Sequence, residues 1–238
     1  MGTPWQQVIC ESAMTFIDDI RLQEQMVTNS AQFLRRMSLY MNLAIPMLNR
    51  PPELLEYLKN GLTLPTYDDA EWVSDEASTQ GTTTVQTGKT GYGIFSCVLQ
   101  TTYEQGVIQT PYPAAQYDPE TGNVTFPQQQ ESGQVYIMDF YQDGAFAQEL
   151  SPTMIRLLGL ACSCVWDDRF ANEWLANHAK IHDESFEAPN EANYMNATTR
   201  KRDANRMQFN GELRKYEQDV QYRSAVSAAG RGRKLAFL

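Results

Sequence analysis

Residues 133–166, GQVYIMDFYQDGAFAQELSPTMIRLLGLACSCVW, change periodicity part-way along, and that change decides the fold class. From Gln134 to Tyr141 the run is β-branched and aromatic. It places Val135, Ile137, Asp139 and Tyr141 on one face of a strand and Tyr136, Met138 and Phe140 on the other. Ser151-Pro152 then supplies a cap followed by proline at the first helical position. The residues after it are apolar nearly all round, as in a helix buried in a core or in a subunit contact. This helix is expected to run to about Asp183.

Upstream of that passage, Thr63 to Gly91 is rich in Thr, Gly, Ser and Asp, the composition of loops and exposed strands. Tyr92 to Tyr103 reads as a strand, and Tyr117 to Phe126 (YDPETGNVTF) as strand, turn, strand. Residues 63–148 are therefore expected to form one small antiparallel sheet. Nearer the amino terminus, Thr3-Pro4 reads as an N-cap and first helical proline, with Trp5, Val8, Ile9, Ala13, Phe16, Ile17 and Ile20 at helical spacing behind it. A second start at Thr28-Asn29-Ser30 leads a stripe of Phe33, Leu34, Met37, Tyr40, Met41 and Ala44, which Pro46 ends or kinks. Pro51-Pro52 opens a third segment that Gly61 closes.

Downstream, Pro189-Asn190 breaks the pattern before a polar helix, from about Asn193 to Val226, with a narrow stripe of Leu213, Tyr216 and Val220. The fold class is α+β: a helical bundle with an inserted small antiparallel β-sheet subdomain and an extended C-terminal arm. Its parts are N-terminal helices at 1–62, the β-rich insertion at 63–148, C-terminal helices packing on the N-terminal ones at 149–223, and a flexible basic tail at 224–238.

Composition narrows the function classes. With 238 residues, 42% hydrophobic and 11% aromatic, the chain can bury a core, and one core with a subdomain is expected. No stretch approaches the roughly 20 apolar residues that span a bilayer, and the amino terminus has no basic region leading into an apolar run, so neither membrane insertion nor secretion is expected. Cys10, Cys97, Cys162 and Cys164 lie within apolar runs, which favours reduced, buried thiols; the sequons at Asn123 and Asn196 are expected to stay unmodified. The net charge of −10 conceals a split: Arg200 to Leu238 carries +6 and the first 199 residues carry −16. A basic arm on an acidic body points to a partner of opposite sign.

The motifs that could carry chemistry each have a plainer explanation. His178 and His182 stand four apart on a helix, a metal-ligand spacing, but HAKIH lacks the glutamate of HExxH, and a polar helix end accounts for them. Cys162-Ser163-Cys164 is not CxxC, and its thiols diverge on a helix. Gly91-Tyr92-Gly93 and Gly230-Arg231-Gly232 complete no phosphate-binding loop. Asp18-Asp19 and Asp167-Asp168-Arg169 read as solvated faces or an Asp-Arg bridge, and Asp139 as an outward-facing strand residue, the alternative being a buried carboxylate with a raised pKa. No enzyme activity and no cofactor are expected. The stretch RKRDANR (Arg200–Arg206) and the terminal RGRK, with Phe209, Tyr216, Tyr222 and Phe237 interleaved, offer a nucleic-acid reading, which the acidic body opposes.

In architecture, with YDPETGNVTF, then SGQVYIMDFYQDGAF, then ELSPTMIRLL as the hairpin-to-helix passage, the chain resembles the head-to-tail adaptor (neck connector) proteins of tailed bacteriophages. The resemblance implies a homo-oligomeric ring, commonly of twelve copies, in the virion neck after assembly in the host cytoplasm. It implies docking on the portal protein by the C-terminal tail, contacts with neighbouring neck or tail proteins, and a lumen that passes DNA without specific binding. The docking residues would be Arg231, Arg233, Lys234, Leu235, Phe237 and Leu238, basic and apolar groups at a free end. A stopper or tail-completion protein is the alternative within the neck, and a nucleic-acid-binding protein the alternative outside it.

Overall fold

The computed structural model describes residues 2–75, 81–103, 106–181 and 191–235, with side chains outside 170–198 and 228–238. The fold is α+β. The chain divides into two compact units, the first made of Met1–Ile9, Asp18–Leu39 and Gly61–Glu149, the second of Cys10–Ile17, Tyr40–Asn60 and Leu150–Leu238. The first sixty residues are thus shared between the units rather than forming a block of their own.

The amino-terminal helix begins one residue later than expected. Pro4 takes the N-cap position, and the Thr3 backbone pairs with residues 146–148: its N–H donates to Gln148 O (3.1 Å) and its carbonyl accepts from Phe146 N (2.9 Å). Helix α1 (Trp5–Val8) widens into a π turn at Ile9–Ala13, continues as α2 (Met14–Phe16), and stops where Ile17 turns extended. Asp19 then caps α3 (Ile20–Thr28), its Oδ1 accepting from Arg21 N at 2.9 Å and Leu22 N at 3.3 Å. The Asp18-Asp19 pair is therefore a helix start, and Ile20, the last member of the expected stripe, is exposed. Helix α4 (Ser30–Ala44) matches its predicted start, a 3-10 turn at Ile45–Met47 follows Ala44, and α5 (Pro52–Lys59) ends before Gly61, whose φ is +68°.

The insertion holds two sheets rather than one. Strands β1 (Thr66–Val73), β3 (Ile94–Tyr103), β4 (Gly106–Pro111) and β7 (Val135–Gln142) form an antiparallel sheet of order β1-β7-β3-β4. Strands β2 (Thr83–Gln86), β5 (Gln116–Asp118) and β6 (Asn123–Phe126) form a second, of order β2-β6-β5. Separation allows aromatic faces of both sheets to be buried together. Tyr136, Met138 and Phe140 of β7 share one cluster with Val124 and Phe126 of β6, and Trp72, Tyr92, Tyr112 and Tyr117 pack around it. Trp72 and Phe126 have ring centroids 4.6 Å apart, Phe126 and Tyr136 4.9 Å, geometries in which aromatic pairs add to simple burial.

The other face of β7 corrects the reading of Asp139. It is 5% exposed, buried rather than outward-facing, because the amino end of α4 covers it. Asn29 caps α4 through Oδ1, which accepts from Gln32 N (3.1 Å), and donates through Nδ2 to Asp139 Oδ2 (3.1 Å). Ser96, opposite Asp139 on β3, donates to Asn29 Oδ1 (2.6 Å) and accepts from Ala31 N (2.9 Å). Burial pushes the Asp139 carboxyl above its ordinary range. The Asn29 hydrogen bond and the Arg35 charge pull it down, and the charge of neighbouring Asp69 adds to the rise.

The second unit is helical. Helix α6 (Pro152–Ile181) starts where Ser151-Pro152 placed it, and Leu157, Leu158, Leu160, Ala161, Cys162 and Cys164 are all buried. Its apolar circumference is thus spent within the chain rather than on a neighbour. Gly159 makes this possible: a Cβ there would lie 2.1 Å from Ser12 Oγ and 2.8 Å from Ala13 N, so the π turn and α6 approach closely only because the side chain is missing. Tyr40 meets Trp166 edge-on at 5.3 Å, and the Arg169 guanidinium lies 5.5 Å over the Tyr40 ring.

Candidate docking surface on the long C-terminal helix

Helix α7 (Glu191–Leu235) spans 45 residues, on the order of 65 Å at the α-helical rise. Its earlier part is fastened antiparallel to α6. Phe209 and Leu213 are buried, Tyr216 and Val220 half-buried, and these four repeat every three or four residues to make the buried stripe. Phe209 is thereby a core residue and not a stacking platform for bases. Alongside the stripe, Arg156 makes a two-pronged contact with Glu212, Nε to Oε2 and Nη2 to Oε1, both 3.0 Å. Asn205 donates to Asp167 (2.8 Å), and Arg206 reaches Asp168 at 3.5 Å.

The charged groups follow from this attachment. Burial raises the Glu212 carboxyl, and hydrogen bonds from Arg156 and Gln208 more than reverse that, leaving it below the usual glutamate range. Burial raises Asp167, and the Asn205 amide partly offsets the rise. Within RKRDANR, Arg202 pairs with its neighbour Asp203 at 3.2 Å, so Arg202 and Arg206 both have acidic partners within the chain. Asp168 is also met by an arginine 38 residues later, Arg206.

Among the residues of α7 whose side chains are described, none past Val220 is buried. Gln221 to Ser227, about two helical turns, are exposed on every side, including Tyr222 at 71% and Val226 at 52%. These two stand four apart and share a face. The sequence reading ended the helix near Val226 with a flexible tail beyond. The helix instead continues to Leu235, through Ala225, Ala228 and Ala229, the strongest helix formers, and past Gly230 and Gly232. Arg231, Arg233, Lys234 and Leu235 fall in its last turns, but their side chains, with Phe237 and Leu238, lie outside the described residues. So do the side chains of His178 and His182.

Two grooves flank α7. One, about 300 Å³, has Arg50, Arg206, Asn210 and Arg214 around Phe209 and Leu213; the other, about 330 Å³, is made chiefly by Leu54, Tyr57, Met154, Tyr216 and Val220 and reaches the point where α7 leaves its support. Burial pushes the thiols of Cys97, Cys162 and Cys164 up to about 12, so they stay protonated near neutrality. Among the described residues no cluster of three His, Cys, Asp or Glu is placed to hold a metal ion, and no helix is long and apolar enough to cross a membrane. Sequence reasoning missed Tyr222 and Val226 as an exposed pair; the end of the apolar stripe at Val220 is the signal that marks where support stops. Compared with protein-family models, curated proteins and solved structures, the chain matches none of them.

Proposed function

We propose that this chain is a structural protein of the phage neck, a head-to-tail adaptor whose distal α7 docks on the portal protein. The observation that carries this reading is the exposure of Gln221–Ser227 on all sides of a helix firmly bound up to Val220. An isolated helix is marginal in water, and one that presents Tyr222 and Val226 together gains by finding a groove. In this role copies form a ring, of twelve in the expected case, in the virion neck, beside neighbouring neck or tail proteins. The acidic body lines a channel through which DNA slides without sticking, and the basic helix meets protein of opposite sign.

The basic charge of α7 supports nucleic-acid binding less well, since Arg202 and Arg206 already face acids of this chain. Co-sedimentation with a purified portal ring of the same virus decides between the two. The full chain is expected to travel with the ring, and a chain ending at Arg223 to remain behind. Equal binding by both rejects the assignment of the arm, and a salt-dependent shift of duplex DNA by the full chain alone favours the nucleic-acid reading.

A further inference from the structure

The sheet of order β1-β7-β3-β4 has an unusual edge. β7 pairs with β3 only over Ile94–Gln100, whereas β4 pairs with β3 over Val98–Tyr103. Among the described residues, Thr101, Thr102 and Tyr103 are therefore paired only with β4, and this end of the β3–β4 hairpin extends past β7 as a two-stranded ribbon. Every residue of β4 is exposed. Val107 (55%) and Ile108 (57%) point to opposite faces, so neither face is covered. A lone ribbon is marginal in water, and edge strands are ordinarily guarded by charge or by proline within the strand. GVIQTP has no charge, and its only proline is at the very end.

The opposite edge, β1, differs. It carries Asp68, Asp69 and Glu71, with Asp68 held by Lys89 (2.5 Å) and Asp69 by Arg35 (3.8 Å). Successive strands in this sheet alternate in direction through its four members, so β1 and β4 run oppositely. A copy related by rotation hence brings its β1 antiparallel to β4 and leaves its own β4 free for the next. Pairing β1 with β1 would set acids against acids, whereas β4 against β1 sets no like charges together. We infer that β4 is the seam between copies, where the β1 of a neighbouring molecule adds to the sheet. This rests on the reading of the chain as a ring-former and names the surface that closes the ring.

The test mixes two full-length variants, Gln109→Cys on β4 and Glu71→Cys on β1, both exposed positions, with a short bis-maleimide, and identifies linked peptides by mass spectrometry. A link joining the two substituted positions is expected. In parallel, Ile108→Lys is expected to weaken self-association, measured by sedimentation velocity, at least about tenfold with an unchanged circular dichroism spectrum. A link between two copies of position 109, self-association indifferent to Ile108→Lys, or a wild-type chain that stays monomeric both free and on the portal ring overturns the inference. Docking on the portal without these links rejects the seam and keeps the proposed function; links without docking do the reverse.

Discussion

Asn29 donates through Nδ2 to Asp139 Oδ2 at 3.1 Å, joining residues 110 positions apart through a contact buried between the start of α4 and β7. The same amide side chain caps α4 through its oxygen and accepts from Ser96. One asparagine therefore fixes where a helix begins and which strands it meets. The carboxylate it holds remains costly to ionise, because burial outweighs the hydrogen bond.

That cost has a sign. With its folded pKa raised above that of an ordinary aspartate, Asp139 stabilises the fold fully at pH below the ordinary value and loses the contribution as pH rises through the folded pKa. Asp139→Asn cannot ionise. Urea unfolding at pH 4 and pH 7 is expected to show the variant gaining on the wild type as pH rises; a difference independent of pH would mean that Asp139 is not held in its raised state.

Gly159→Ala tests the close approach of α6 to the π turn. Helix propensity alone would favour alanine by about 1 kcal/mol, yet the new Cβ would lie 2.6 Å from Ser12 Cβ as well as 2.1 Å from Oγ. Overpacking of this kind costs about 1–3 kcal/mol. A lowered denaturation midpoint is expected, with partial recovery when Ser12→Gly is added; an unchanged or raised midpoint would mean that the backbones are not so close.

The Arg156–Glu212 contact fastens α7 to α6 at a half-exposed site. A double-mutant cycle with Arg156→Ala and Glu212→Ala is expected to give a coupling of about 0.5–1 kcal/mol, falling at high salt. No coupling would leave the stripe of Phe209 and Leu213 as the fastening.

Much of the fold is legible in local patterns. The alternation of Val135 to Tyr141 gave the two faces of β7, and Ser151-Pro152 gave the start of α6. What local pattern could not supply was partnership. Asp139 reads as a solvated strand residue until a distant helix end covers it, and Phe209 reads as a free aromatic until α6 lies beside it. β4 escaped notice because GVIQTP is short and does not alternate cleanly, and the single sheet became two because pairing of β2 with β6 depends on residues far apart. Of the docking surface, the arm and its charge were legible. The point where support ends became visible only with the burial of Tyr216 and Val220 set against the exposure of Tyr222.

The most direct test of the central claim is electron microscopy, at side-chain resolution, of the portal ring of the same virus incubated with the full chain. The account predicts α7 as a continuous helix reaching the portal, with Tyr222 and Val226 seated in a portal groove and lost from it in Tyr222→Ser, Val226→Ser. A portal ring bearing no copies of the chain, or copies attached with Gln221–Ser227 still free in solvent, would contradict it.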